Sequence, residues 1–188
     1  MMKRDEALKV LARHYADGIV VGVYQSIFDW MGIRPHPLNY ICTGAMGQAS
    51  SHALGLALAH PDRKVVVLDG DGSLLMNLGS LVTVANMAPK NLVHFVSNNK
   101  IYEVNGRYPL PGAGQVDFSG LAKAAGYRRT FTFSDLENFK DGIGEVLDGS
   151  GPTFVTLQVE EGEAYPRDYV KIHSAEARQT FRKAIRQT

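Results

Sequence analysis

Two short runs rich in β-branched residues, Val65-Val66-Val67-Leu68-Asp69 and Leu92-Val93-His94-Phe95-Val96-Ser97, stand one helix length apart. Runs this apolar suit strands covered on both faces, and the segment between them carries Leu74, Leu75, Leu78, Leu81, Val82 and Ala85 at helical spacing, so this face reads as core. The pattern is a βαβ unit, whose right-handed crossover brings both strand ends to one edge of a parallel sheet.

The rest of the chain alternates in the same way. Helical patterns fall over 3–15, 26–31, 48–60, 73–88, 117–125, 134–147 and 174–187, the sixth opened by a Ser134-Asp135-Leu136-Glu137 capping box. Strand patterns fall over 19–24, 39–41, 128–133 and 153–159. Segment 100–116, with three glycines and two prolines, reads as a long loop, and the connection containing Pro166 reads as irregular. The alternation predicts a three-layer α/β/α sandwich around a mostly parallel sheet. At 188 residues and 45% hydrophobic, the chain is expected to form one domain, 1–188, with 160–188 as a C-terminal extension and helix.

Twenty basic against nineteen acidic side chains leave a net charge of +1 with no block of like charge, which favours neither nucleic acid nor an anionic membrane as partner. No apolar run approaches the ~20 residues of a membrane span, and Lys3-Arg4-Asp5-Glu6 is too charged to open a signal peptide, so a soluble, cytoplasmic protein is expected. Cys42 is the single cysteine, so no internal disulfide can form. It is read as a small packing residue rather than a thiol catalyst.

Ligands of open α/β sheets bind at the carboxyl edge. There Asp71 leaves the first run and Asn98-Asn99 leave the second, and two hard oxygens suit Mg²⁺, which completes its octahedron with water and phosphate. Gly70 and Gly72 let the backbone turn and approach a bulky anion, and the free N–H groups of the helix beginning near Ser73 face the same place. A Mg²⁺-diphosphate uses all of these features. An EF-hand loop fails, because Leu74 stands where its glycine is needed and Ser80 where its glutamate is needed. A dinucleotide fingerprint fails at Leu75. A bare strand-to-helix turn leaves the Asn98-Asn99 spacing unexplained.

Gly70-Asp71-Gly72, followed after 25 residues by Asn98-Asn99, resembles the signature of the thiamine-diphosphate-dependent decarboxylase and carboligase family. The block from Gly44-Ala45-Met46-Gly47 to Ala59 resembles that family's cofactor loop and helix, and the resemblance runs over 39–152. Within the family it is strongest to the sulfopyruvate decarboxylase beta subunits and the C-terminal halves of phosphonopyruvate decarboxylases. It implies the thiamine-diphosphate-binding fold, thiamine diphosphate and Mg²⁺ as cofactors, and a small 2-oxo acid as substrate. An acetolactate-synthase-type carboligase subunit and a catalytically silent cofactor-binding subunit are the alternatives.

By the resemblance, Asp71, the Asn99 side chain and the Ile101 carbonyl hold the metal, while Gly70, Gly72 and Ser73 help to hold the cofactor and Asn98 braces the loop. Met46 would prop the cofactor into a bent shape, and the Gly44 carbonyl would accept from its pyrimidine amino group, next to the acidic thiazolium carbon. His52 and His94, inside a helix and a strand, read as structural. His36, His173, Tyr102 and Glu103, on loops, are candidates for substrate contact. The family carries His where Tyr102 stands and a small residue where Lys100 stands, so the oxo acid is not fixed by the resemblance. The family also needs a glutamate against the pyrimidine, carried on a preceding domain. Only 38 residues precede Asn39 and their single glutamate is Glu6. A companion subunit carrying the pyrimidine-binding domain is therefore expected, in a hetero-oligomer such as α₂β₂, with a homo-oligomer as the form of the isolated chain.

Overall fold

The computed structural model describes all residues except Thr43, Gln187 and Thr188. In chain order the elements are β1 (Met2–Lys3), α1 (Arg4–His14), β2 (Ile19–Gly22), α2 (Tyr24–Ile33), β3 (Asn39–Ile41), α3 (Ala49–Ala59), β4 (Val65–Gly70), α4 (Asp71–Leu75), α5 (Gly79–Met87), β5 (Leu92–Asn98), β6 (Ile101–Tyr102), β7 (Tyr108–Pro109), α6 (Phe118–Ala125), β8 (Arg129–Phe133), α7 (Leu136–Asp148), β9 (Thr153–Glu160), α8 (Tyr169–His173) and α9 (Ala175–Ala184).

Seven strands form one sheet in the order β3-β2-β4-β5-β9, with β8 and β1 sharing the far edge of β9, and every pair is parallel. The register of the central pair runs from Val65 opposite Leu92 to Gly70 opposite Ser97. Because side chains alternate along a strand, the apolar runs feed two cores at once. Val20, Val66, Leu68, Val93, Phe95 and Val155 meet α1, α2 and α7 through Leu8, Leu11, Ile27, Trp30, Phe139 and Ile143. Ile19, Val21, Val65, Val67, Val96 and Phe154 meet α3, α5, α6 and α9 through Ala53, Leu81, Val84, Ala122 and Phe181. The architecture is the three-layer sandwich. Among the described residues no helix is long and apolar enough to cross a membrane.

Several local expectations are corrected. Met2–Lys3 pairs with the end of β9 instead of opening the first helix, a strand too short to show a period. Strand β2 stops at Gly22, because Tyr24 takes a φ of 41° and begins α2. The helix expected from Ser73 begins at Asp71 and is broken into α4 and α5, where Met76 and Asn77 donate to carbonyls three residues back. Val82, expected in the core, is 59% exposed on α5. Segment 100–116 contains the antiparallel β6–β7 pair, and the connection containing Pro166 contains α8. Helix α6 is capped by Asp117 and ends at left-handed Gly126, as its sequence implies. In α7 the cap is Asp135, not Ser134, since its carboxylate accepts from the N–H groups of Glu137 and Asn138. The expected end of the last helix, Gln187, lies outside the described residues, and α9 closes at Ala184.

Candidate functional site

The strand order reverses direction at β2 and β4: the chain leaves β2 through α2 toward β3, and leaves β4 through α4 and α5 toward β5. Loops that diverge from adjacent strands open a crevice at their C-terminal ends. A cavity of about 60 Å³ lies there, and its lining includes Tyr24, Gln25 and Ser26 after β2, Gly70 at the end of β4 with Asp71, Gly72 and Ser73 after it, and Asn99, Ile101, Tyr102 and Glu103 after β5, with Met46 and Arg4. Residues separated by almost a hundred positions thus face one space.

Asp71 is 2% exposed. Its Oδ1 accepts from Gly72 N at 2.8 Å and its Oδ2 from Lys100 N at 2.6 Å. Lys100 reaches this position with a φ of 66°. Burial pushes the Asp71 carboxyl up to about 6, despite the backbone N–H groups that favour its charge. Among the described residues it has no ion-pair partner; the nearby guanidinium of Arg4 is committed to Asp29 and Glu103. A buried anion without a counter-ion is the complement of a small cation. Asn99, which lines the same cavity, carries an amide oxygen, Oδ1, that accepts from Ile101 N at 3.1 Å and retains a second lone pair. Among the described residues no group of three His, Cys, Asp or Glu side chains could hold a metal. A cation here must therefore draw on amide and carbonyl oxygens and on its own ligands. Asn98 does not line the cavity, consistent with alternation along β5.

The loop before α3 is clamped to α4. Gly47 N donates to Ser73 Oγ at 2.9 Å, and Asn77 Nδ2 donates to Gly47 O at 2.9 Å. Gly44 and Gly47 have φ values of +61° and +80°, turns that L side chains resist, and Met46 projects between them onto the cavity. Gly44 does not line the cavity; its carbonyl accepts from the Tyr24 hydroxyl at 3.3 Å. A Cβ on Gly72 would stand 2.7 Å from the Tyr102 ring, so that ring packs directly on the turn.

Of the four loop residues expected near substrate, Tyr102 and Glu103 reach the cavity. His36 lines a separate groove of about 610 Å³ between the α2–β3 loop and α8–α9, and His173 lies exposed at the end of α8. His94 is fully buried against Asp69 and Tyr127, a structural role as expected. His52, though exposed, contacts Gln48 O at 2.9 Å and Cys42 Sγ at 3.5 Å. Arg4, Tyr24, Gln25 and Asn77 were not singled out from the sequence. Applying the carboxyl-edge rule to β2 as well as β4 flags Tyr24 and Gln25; nothing in the sequence marks Arg4.

Residues 21–157 match the family model described as thiamine pyrophosphate enzyme, C-terminal TPP binding domain. The chain is similar to phosphonopyruvate decarboxylase of Streptomyces viridochromogenes, with 41% identity over 145 residues that cover 77% of this chain and 36% of that protein. It is also similar to sulfopyruvate decarboxylase subunit beta of Methanothermobacter thermautotrophicus, with 36% identity over 165 residues covering 87% of this chain and 85% of that one. The chain therefore spans little more than a third of the phosphonopyruvate decarboxylases and most of the beta subunit. The crystal structure of benzoylformate decarboxylase from Polynucleobacter necessarius has the same fold, with a TM-score of 0.70 at 24% identity over 87% of this chain and 34% of that chain.

Proposed function

This chain belongs to the thiamine pyrophosphate enzymes through their C-terminal TPP-binding domain, and on that premise we propose that it is the thiamine-diphosphate- and Mg²⁺-binding subunit of a 2-oxo-acid decarboxylase. The observation that carries the reading is Asp71, a buried carboxylate with no counter-ion among the described residues, facing a cavity that Asn99, Ile101 and two glycines share. The residues present fit the cation: Asp71, Asn99 Oδ1 and the Ile101 carbonyl are three hard oxygens, leaving the remaining positions to water and diphosphate. Gly70 and Gly72 add no side chain of their own to the turn that lines the cavity after β4, which suits the approach of a bulky anion.

When bound, thiamine diphosphate supplies an acidic thiazolium carbon that adds to the substrate's keto carbon and an electron sink for the bond that loses carbon dioxide. The chain's residues position that chemistry. Asp71 and Asn99 would hold the metal that the diphosphate needs, Met46 would support the cofactor from its clamped loop, and the Gly44 carbonyl would accept from the pyrimidine amino group once the Tyr24 hydroxyl yields to it. The names of the relatives support decarboxylation of a small oxo acid, and the coverage of a beta subunit supports a companion chain.

Titration calorimetry with thiamine diphosphate, with and without Mg²⁺, tests the site. Asp71→Ala is expected to abolish Mg²⁺-dependent binding while the metal-free fold survives, since the substitution removes an unpaired buried charge. Unchanged affinity in that variant overturns the assignment. Product analysis with a second oxo acid separates decarboxylation from acetolactate-synthase-type carboligation.

A further inference from the structure

Arg4 lies outside the segment that matches the family model, yet its side chain is 5% exposed and lines the cofactor cavity. Its Nε donates to Asp29 Oδ2 at 2.7 Å, while Nη1 and Nη2 donate to Glu103 Oε2 and Oε1 at 2.6 and 3.3 Å. Asp29 is held from its other side by Gln25 Nε2 at 2.6 Å. The guanidinium therefore grips Glu103 as a fork whose own direction is fixed. Glu103 Oε2 in turn accepts from Asn99 Nδ2 at 3.1 Å.

The consequence lies in the symmetry of an amide. The two ends of the Asn99 side chain have nearly the same shape, and an ionised carboxylate accepts hydrogen bonds but donates none. Opposite Glu103 only the NH₂ end is tolerated, so Oδ1 is turned the other way, toward Ile101 N, in a residue that lines the cavity. We propose that Arg4 and Glu103 are positioning residues for the metal: Arg4 orients Glu103, and Glu103 decides which end of the Asn99 amide meets the cation. The proposal rests on the reading that Asn99 Oδ1 ligates Mg²⁺. It extends the site by a helix that precedes the family segment.

The test measures the Mg²⁺ concentration that half-saturates thiamine diphosphate binding, by calorimetry on the protein purified with any subunit that accompanies it. Glu103→Gln keeps the volume but removes the charge that discriminates the two amide ends, and Arg4→Lys keeps the charge but loses the fork. Each is expected to raise the Mg²⁺ requirement by about tenfold or more, the scale on which residues behind a metal ligand act, with cofactor affinity at saturating Mg²⁺ little changed. The double variant Asn99→Asp/Glu103→Gln is expected to recover the Mg²⁺ affinity, because a carboxylate has an oxygen at both ends and its orientation no longer matters. Asn99→Asp alone measures what the added ligand charge contributes, and a recovery no larger than the gain it gives the unsubstituted protein is a charge effect and overturns the proposal. Wild-type Mg²⁺ dependence in Glu103→Gln, or no recovery in the double variant, overturns the proposal while leaving the cofactor assignment standing. Absence of Mg²⁺-dependent binding in the unsubstituted protein overturns the assignment itself, and the proposal with it.

Discussion

Met46 gains its position from what surrounds it rather than from its own chemistry. Two left-handed glycines and two hydrogen bonds, one to Ser73 on α4 and one from Asn77 in the break after it, fix the loop, and Asn105 Nδ2 lies 3.7 Å from the Met46 sulfur. Met46→Ala is expected to lower kcat by about tenfold while changing cofactor affinity by much less, the pattern of an interaction that matters in the transition state; Met46→Leu should retain most of the rate. Steady-state kinetics beside calorimetry decide this, and a variant that binds poorly but turns over normally at saturation contradicts it. Cys42, by contrast, is shut away from chemistry: burial, helped by the charge of Asp69, pushes its thiol from an ordinary value up to about 11. A thiol held that far above its ordinary value leaves about a hundredth of the ordinary thiolate at pH 8. Iodoacetamide should therefore modify Cys42 about 100-fold more slowly in the folded protein than in urea, and a fast native reaction would contradict the packing role. At this scale Asp71 and Asn99 were legible because strand ends and spacing mark them. Arg4 was not: it meets Glu103 across 99 positions, and a charged residue in a first helical turn carries no periodic signal.

Elements were legible wherever a period or a cap specifies them. Helix α6 has both Asp117 at its start and Gly126 at its end, and its boundaries follow. Periodicity could not locate the break between α4 and α5, because Leu74, Leu75 and Leu78 continue an apolar stripe through it. The interruption lets Asn77 reach the Gly47 carbonyl, a long-range contact with no local trace. The β6–β7 pair was missed because two-residue strands show no alternation. At the start of α7, Ser134 satisfies the capping pattern as well as Asp135 does, and only the geometry separates them. Asp135→Ala is expected to cost about 1 kcal/mol, the usual worth of a cap. Ser134→Ala, at an exposed position, should stay within about 0.5 kcal/mol. Urea denaturation midpoints of the two variants measure the difference, and the reverse order would return the cap to Ser134.

On the scale of the whole molecule, a sheet with every strand parallel gathers the loops from β2, β4 and β5 at one edge, and the divergence of α2 from α4 opens the crevice between them. That arrangement followed from the alternation of strand and helix patterns, whereas the sharing of the β9 edge by β1 and β8 did not, since β1 is held by long-range pairing alone. The same geometry bears on the glutamate that the pyrimidine of thiamine diphosphate needs. Glu103 is the one glutamate lining the cavity among the described residues, and it is committed to Arg4, Asn99 and, more loosely, Arg167. Glu6 lies on the exposed side of the first turn of α1, and Glu160, Glu161 and Glu163 pair with Lys3, Arg107 and Lys9. Freeing Glu103 for the pyrimidine would leave the buried Arg4 guanidinium half unpaired, a loss of several kcal/mol. The activating glutamate is therefore expected to come from outside residues 1–188, on the proposed beta-subunit reading from a companion chain across an interface, and residues 1–188 purified alone with Mg²⁺, thiamine diphosphate and a panel of 2-oxo acids should release no carbon dioxide above background. Adding the companion subunit should restore turnover, and replacing that subunit's pyrimidine-facing glutamate with glutamine should remove it again while calorimetry still registers cofactor binding. Full decarboxylation by this chain alone would mean that Glu103 leaves Arg4 in the working enzyme, and Glu103→Gln would then abolish turnover outright.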